Sequence, residues 1–209
     1  MNHRSKAIET ILTRAPVIPV LAVDDPSIAA DLAHTLVKGG LPVIEVTLRS
    51  SRAIDVLRTM AKVEDAIVGA GTVLTEEQAK AAINAGAKFL VSPGATEALL
   101  DSIENLPVPL LPGAVTASEI MHLIERDYRF LKFFPAEPMG GVALLKAFMG
   151  PFPHVKFCPT GGIDLAKAKT YLALENVVCV GGSFVTPDTL IAARDWGKIH
   201  NLAKEASQY

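Results

Sequence analysis

The chain has 209 residues, half of them hydrophobic, which is enough to bury a substantial core and suits one domain spanning residues 1–209. Its formal charge is −2 with acids and bases mixed along the chain, so no basic stripe exists to neutralise phosphates and no nucleic acid is expected as a partner. No apolar run reaches the ~18 residues of a membrane span, and Glu9 and Arg14 interrupt any signal-like stretch. No membrane association is expected, and the expected location is cytoplasmic.

Residues 5–14 predict a helix that caps the bottom of the fold. Eight short β-type runs then follow, beginning near Val17 (VIPVLAV), Pro42 (PVIEVTL), Ala66 (AIVGAGTV), Phe89 (FLVSPG), Pro109 (PLLPGAV), Phe130 (FLKFFPA), Lys156 (KFCPTGGI) and Val177 (VVCVGGSF). Between them lie helix-period apolar residues, such as Ile28, Leu32 and Leu36 after the first run and Ile54, Leu57 and Met60 after the second. Alternating strands and helices mean parallel strands with crossover helices, and eight such units predict an α/β fold of the (β/α)8 TIM-barrel type. The alternative is an open doubly wound sheet. It expects a glycine fingerprint after the first strand, where this chain reads Val23-Asp24-Asp25-Pro26.

Side chains alternate across a strand, so the second run divides cleanly. Ile44, Val46 and Leu48 suit the helix layer, which points Val43, Glu45, Thr47 and Arg49 toward the barrel axis. Charges buried there must be paired or functional. A Glu45–Arg49 ion pair at the rim is the structural reading. In the sixth run the same parity turns Phe130, Lys132 and Phe134 inward and Leu131 and Phe133 outward. A lysine between aromatics in mid-strand cannot easily snorkel to water. Desolvation disfavours the ammonium and favours the neutral amine, the form that attacks a carbonyl. The residues alone leave two readings open: a buried Lys132–Glu45 salt bridge, or a nucleophile.

Glycine pairs close the last two runs, Gly161 and Gly162 after the seventh, Gly181 and Gly182 before Ser183 after the eighth. In phosphate-binding barrels these two loops, with a short helix N-terminus, cradle the anion. Gly161, Gly162, Gly182 and Ser183 are the expected phosphate-binding set. Cys158 and Cys179 lie in apolar segments and read as buried reduced thiols. The five histidines are scattered without ligand spacing, so neither a metal nor another cofactor is expected.

LKFFPA around Lys132 and IEVTLR around Glu45 and Arg49 resemble the 2-keto-3-deoxy-6-phosphogluconate (KDPG) aldolase / 4-hydroxy-2-oxoglutarate aldolase family of class I aldolases. The likeness runs through GAGTVL at 69–74, SPG at 92–94, PG at 112–113, CPTGGI at 158–163 and GGS at 181–183, each at a strand end. The resemblance implies that Lys132 forms a Schiff base with a small keto-acid substrate and that Glu45 is the general acid/base. It implies that Arg49, Thr72 and Pro93 hold the pyruvyl carboxylate, that Phe134 joins the substrate-binding set and that Thr160 touches the substrate hydroxyl. It also implies a homotrimer, for which the apolar residues 148–153 offer a contact. Two places depart from the pattern. Some relatives carry an arginine where this chain reads Leu21-Ala22-Val23, and the loop Glu137-Pro138-Met139-Gly140-Gly141 is atypical. Alternative readings are cleavage of 4-hydroxy-2-oxoglutarate or of the galactonate epimer, and a non-catalytic phosphosugar-binding barrel. A metal-dependent epimerase or aldolase lacks its His and Asp ligands here.

Overall fold

The computed structural model describes residues 3–209. Strands and helices alternate in the order α1 (His3–Leu12), β1 (Val17–Leu21), α2 (Ala29–Lys38), β2 (Val43–Thr47), α3 (Ala53–Met60), β3 (Ile67–Gly71), α4 (Glu76–Asn84) and β4 (Phe89–Val91). There follow α5 (Glu97–Ile103), β5 (Leu110–Leu111), α6 (Ala117–Glu125), β6 (Phe130–Phe133), α7 (Gly141–Met149), β7 (Lys156–Pro159), α8 (Leu165–Leu172) and β8 (Val180–Gly182). Two further helices, α9 (Asp188–Ala192) and α10 (Trp196–Ala206), complete the described residues.

The strands form a curled six-stranded parallel sheet in the order β5-β4-β3-β2-β1-β8 and a two-stranded parallel sheet of β6 and β7. Single bridges join the two sheets, Gly113 with Lys132 at one side and Phe157 with Val177 and Thr160 with Gly181 at the other. The order runs round from β5 to β1 and on to β8 without reversing. It therefore lacks the switch point of a doubly wound sheet, and that alternative falls. The eighth strand starts at Val180 rather than Val177. Residues 176–178 bond to Phe157 on β7 without entering the ladder with β1, whose pairing begins opposite Val180.

Two apolar clusters follow the strand alternation. The inner one joins Ile18, Val43, Phe89, Val91, Leu111, Phe130, Cys158 and Cys179, with Ile8 and Leu12 of α1 packed into it. The outer one places Ile44, Val46, Val68, Leu131 and Phe133 against the helices. Both parity assignments, for β2 and for β6, hold. The helix-period residues Ile28, Leu32 and Leu36 are all buried, whereas α3 buries Val56 with Leu57 and Met60 and leaves Ile54 only half-buried. Phe148 and Phe152 do not face outward. Their rings pack on each other, and Phe148 stacks on Phe157 inside the chain, so residues 148–153 spend their aromatics on this chain's own core. No helix of the described residues is long and apolar enough to cross a membrane.

Candidate active site

Lys132 and Glu45 meet inside the fold. Lys132 Nζ donates to Glu45 Oε1 at 3.0 Å, and the two side chains are only 7 % and 5 % exposed. Breaking a pair so placed by removing one partner is costly, because the other charge is left without water or counter-charge. The strand that makes room is β3. Its inward positions are Gly69 and Gly71, and a Cβ at Gly69 would lie 2.4 Å from the Phe89 ring while one at Gly71 would lie 2.1 Å from Glu45 Oε1. The bare face of β3 is filled by its neighbours' large side chains. Sequence reasoning passed over these glycines as site residues, although their alternation with Ala70 is a readable signal.

Arg49 lies just beyond β2 and makes no ion pair with Glu45 among the described residues. Its Nε donates to Thr47 Oγ1 at 3.2 Å, and that hydroxyl donates to the Leu21 carbonyl at 2.8 Å. The expected rim pair is thus replaced by an Arg49–Thr47 contact, since Glu45 points one step deeper, to the lysine. The Phe134 ring lies over the amine, with Lys132 Nζ 5.4 Å from its centroid. Thr160 is buried, its Oγ1 donating a long hydrogen bond of 3.5 Å to the Cys158 carbonyl. Gly181 leaves space for that hydroxyl: a Cβ there would lie 2.4 Å from Thr160 Oγ1.

A cleft of about 160 Å³ opens at the C-terminal strand ends, lined by Val20, Arg49, Phe134, Thr160, Gly161, Gly162, Ile163, Gly182 and Ser183. Seven of the residues expected from sequence therefore share one surface. Lys132 precedes Phe134 by one inward step, with its amine near that ring, and Val20 is in register with Glu45, so two residues of the cleft lining adjoin the amine–carboxylate pair. Thr72 and Pro93 follow β3 and β4 and stand outside this lining. Thr72 has φ +60, a conformation uncommon for a non-glycine residue, and the Pro93 carbonyl packs where a Cβ on Gly113 would lie, 2.2 Å away. Strand β1 contributes the apolar Val20 to the cleft.

Gly161 and Gly162 have φ of +107 and +76, the left-handed region that favours glycine. Among the described residues, the backbone N–H groups of Gly162 and Ser183 donate to no protein acceptor, while that of Gly161 takes part in the Thr160–Gly181 bridge. Such an array of unengaged amides beside glycines suits an anion. The expected helix N-terminus is not part of it. The Asp164 carboxylate caps α8 by accepting from the Lys167 N–H, which puts negative charge at that end, and α9 begins only at Asp188. Gly182 is demanded by packing rather than by conformation, since a Cβ would lie 2.5 Å from the Phe184 ring.

The atypical loop after β6 is anchored. Glu137 accepts from the Tyr171 hydroxyl at 2.5 Å and pairs with Lys167 Nζ at 2.7 Å, while Pro138 and Met139 are exposed. The hydrogen bonds from Lys167 and Tyr171 hold the Glu137 carboxyl below its ordinary range. Cys158 and Cys179 are free and buried. A hydrogen bond with Cys158, together with burial, holds the Cys179 thiol well above its usual range, which makes it a poor nucleophile. Among the described residues no group of three His, Cys, Asp or Glu is arranged to hold a metal ion.

The family profile described as KDPG and KHG aldolase matches residues 8–202. The KHG/KDPG aldolase of Escherichia coli (strain K12) is 47% identical over 207 residues, covering 99% of this chain and 97% of the relative. A crystal structure of KDPG aldolase from Legionella pneumophila, with pyruvate captured at low pH as a covalent carbinolamine intermediate, superposes with a TM-score of 0.93. It is 42% identical, covering 95% of this chain and 97% of that one. The enzyme of Zymomonas mobilis ZM4, solved with 3-phosphoglycerate, gives a TM-score of 0.92 at 43% identity, covering 96% and 94%.

Proposed function

This chain belongs to the KDPG and KHG aldolase family and is an aldolase, a carbon–carbon lyase; from that premise we propose that Lys132 and Glu45 cleave 2-keto-3-deoxy-6-phosphogluconate to pyruvate and glyceraldehyde 3-phosphate. The observation that carries the reading is the buried Lys132–Glu45 contact at 3.0 Å, adjoining Phe134 and Val20 of an open cleft. The neutral amine attacks the C2 carbonyl, giving a carbinolamine and, on loss of water, a cationic imine. That imine accepts the electron pair released when C3–C4 breaks, so the reaction needs no metal or other cofactor as electron sink. Glu45 takes the proton of the C4 hydroxyl and the aldehyde departs. The enamine is protonated at C3, and hydrolysis frees pyruvate. The carbinolamine trapped in the Legionella relative supports this course.

Arg49, with Thr72 and Pro93, holds the substrate carboxylate so that the reacting atoms stay aligned. Phe134 packs over the imine, and Thr160 meets the hydroxyl beside the scissile bond. Gly161, Gly162, Gly182 and Ser183 receive the phosphate through backbone amides and one hydroxyl. The relative holding 3-phosphoglycerate supports a phosphorylated ligand. The same site takes 4-hydroxy-2-oxoglutarate as a second substrate, a reading favoured by the double activity in the name of the Escherichia coli relative.

The sheets and their bridges read as one closed (β/α)8 barrel of a single domain, residues 1–209, with α1 capping the end opposite the cleft through Ile8 and Leu12. A cytoplasmic homotrimer completes the proposal. Leu74 and Met121, each more than half exposed, are better candidates for its contacts than residues 148–153. The deciding experiment is reduction with borohydride in the presence of pyruvate, followed by peptide mass analysis. One reduced pyruvyl group per chain on Lys132 is expected; labelling of another lysine, or none, ends the assignment.

A further inference from the structure

We propose that Lys167, held by Glu137 and Tyr171, is a positioning residue that fixes the glycine turn after β7 and so sets the preference for phosphorylated over phosphate-free keto acids. This rests on the phosphate reading above. Three successive peptide groups leave β7, and the carbonyl of each is held. Thr160 O accepts from the Ala136 N–H at 2.8 Å, and Gly161 O accepts from the Glu137 N–H at 3.2 Å. Gly162 O accepts from Lys167 Nζ at 3.2 Å. In a planar trans peptide the N–H points opposite to the C=O. Fastening these carbonyls on one side therefore turns the N–H groups of Gly161, Gly162 and Ile163 to the other. All three residues line the cleft, and among the described residues the N–H groups of Gly162 and Ile163 find no protein acceptor, while that of Gly161 takes part in the Thr160–Gly181 bridge.

The three fastenings differ in kind. The first two are backbone to backbone and survive most substitutions. The third depends on side chains. Lys167 reaches Gly162 O only while its ammonium is drawn toward Glu137 Oε2 at 2.7 Å, and Tyr171 fixes the other carboxylate oxygen at 2.5 Å. The turn needs such a brace, because two consecutive left-handed glycines are conformationally permissive. An ordinary exposed ion pair contributes little. This one also holds a carbonyl whose peptide faces the anion.

The test is a KM-against-kcat comparison of Lys167→Met, Lys167→Arg and Glu137→Gln on 2-keto-3-deoxy-6-phosphogluconate and on 4-hydroxy-2-oxoglutarate. Lys167→Met should raise KM for the phosphorylated substrate by about tenfold, the order of one charge-assisted hydrogen bond, with kcat little changed. The phosphate-free substrate should lose much less, and Lys167→Arg should restore part of the loss. Glu137→Gln separates bracing from simple charge attraction. It keeps the cation and removes a nearby anion, so attraction alone predicts a lower KM for the phosphorylated substrate, whereas loss of the brace predicts a higher one. A lower KM in Glu137→Gln, or equal losses on both substrates in Lys167→Met, overturns the proposal. If the unmodified enzyme shows no preference for the phosphorylated substrate, the phosphate reading itself has failed.

Discussion

Gly71 has no side chain at the point that Glu45 fills: a Cβ on Gly71 would lie 2.1 Å from Glu45 Oε1 and 2.7 Å from Cδ. The obstacle is the head of the carboxylate, so Gly71→Ala should push that group off Lys132 rather than unfold the sheet. Overpacking by one methyl costs about 1–3 kcal/mol. Misplacing a general acid/base forfeits most of a contribution of roughly 10²–10⁴ in rate. Turnover measured beside a thermal melt should show a large fall in kcat and a modest fall in Tm. Normal turnover in Gly71→Ala would mean that the position of Glu45 is unimportant to the chemistry.

The alternation of Val43, Glu45 and Thr47 against Ile44 and Val46 is visible in the sequence because a strand has a period of two, and the inward lysine of β6 follows from the same rule. The bare face of β3 was equally available, since Gly69 and Gly71 share the parity of Glu45 in the neighbouring strand. What lies beyond such periodicity is the partner choice of long side chains. Nothing in the spacing of Glu45 and Arg49 says that Glu45 turns inward to Lys132 while Arg49 settles on Thr47. The brace of Glu137, Lys167 and Tyr171 joins two loop–helix connections and has no period at all. The two phenylalanines of residues 148–153 show a related limit. An apolar run shows that it will be buried, not against what, and here Phe157 claims Phe148.

Ser183 offers a cleaner probe of the phosphate cradle than its glycines. Replacing Gly162 forces a side chain into φ +76 and within 2.9 Å of Glu137 Cβ, and replacing Gly182 drives one into the Phe184 ring. Either change disturbs packing and binding together. Ser183 is exposed in the cleft, so Ser183→Ala removes one hydroxyl and little else. A lost hydrogen bond of about 0.5–1.5 kcal/mol corresponds to a KM increase of roughly 2–10-fold for the phosphorylated substrate. Cleavage of 4-hydroxy-2-oxoglutarate should be unchanged. A matching loss on both substrates would take Ser183 out of the phosphate site.

The brace on Glu137 should have a definite pH window. Hydrogen bonds from Lys167 and Tyr171 place the folded Glu137 carboxyl below its ordinary 4.5, against opposing effects of desolvation and the nearby Asp164. A depressed carboxyl contributes stability that is complete above the unfolded value and is lost as pH falls through the folded one. Glu137 in turn raises the folded Lys167 above 10.5, so that contribution is complete below 10.5 and is lost as pH rises through the folded value. Tyr171 is also pushed above its usual range by burial and by Glu137, which keeps its proton in place between those limits. The Tm difference between the unmodified protein and Glu137→Gln should therefore be level through neutrality and shrink only in acid below 4.5 and in strong alkali. A difference that changes between about pH 6 and pH 8 would assign it to some other group.

Glu45→Gln separates chemistry from structure at the central pair. Glutamine keeps the volume of the side chain and fits the space that Gly71 leaves, but its amide cannot shuttle a proton. If Glu45 is the acid/base, turnover should fall by roughly 10²–10⁴ with folding largely retained. Borohydride trapping of pyruvate on Lys132 should persist at a slower rate, because dehydration of the carbinolamine also needs a proton. The competing role is that of a counter-charge. Lys132 is 7 % exposed and its only ion-pair partner among the described residues is Glu45. Removing a purely structural carboxylate would strand a buried cation at a cost of about 3–5 kcal/mol. The signature would then be a sharp drop in Tm, with the surviving folded fraction turning over at nearly the normal rate. A circular dichroism melt and a coupled pyruvate assay on one preparation decide between the two. A destabilised but fully active Glu45→Gln enzyme ends the acid/base assignment, and a stable, inactive one that still traps pyruvate on Lys132 supports it.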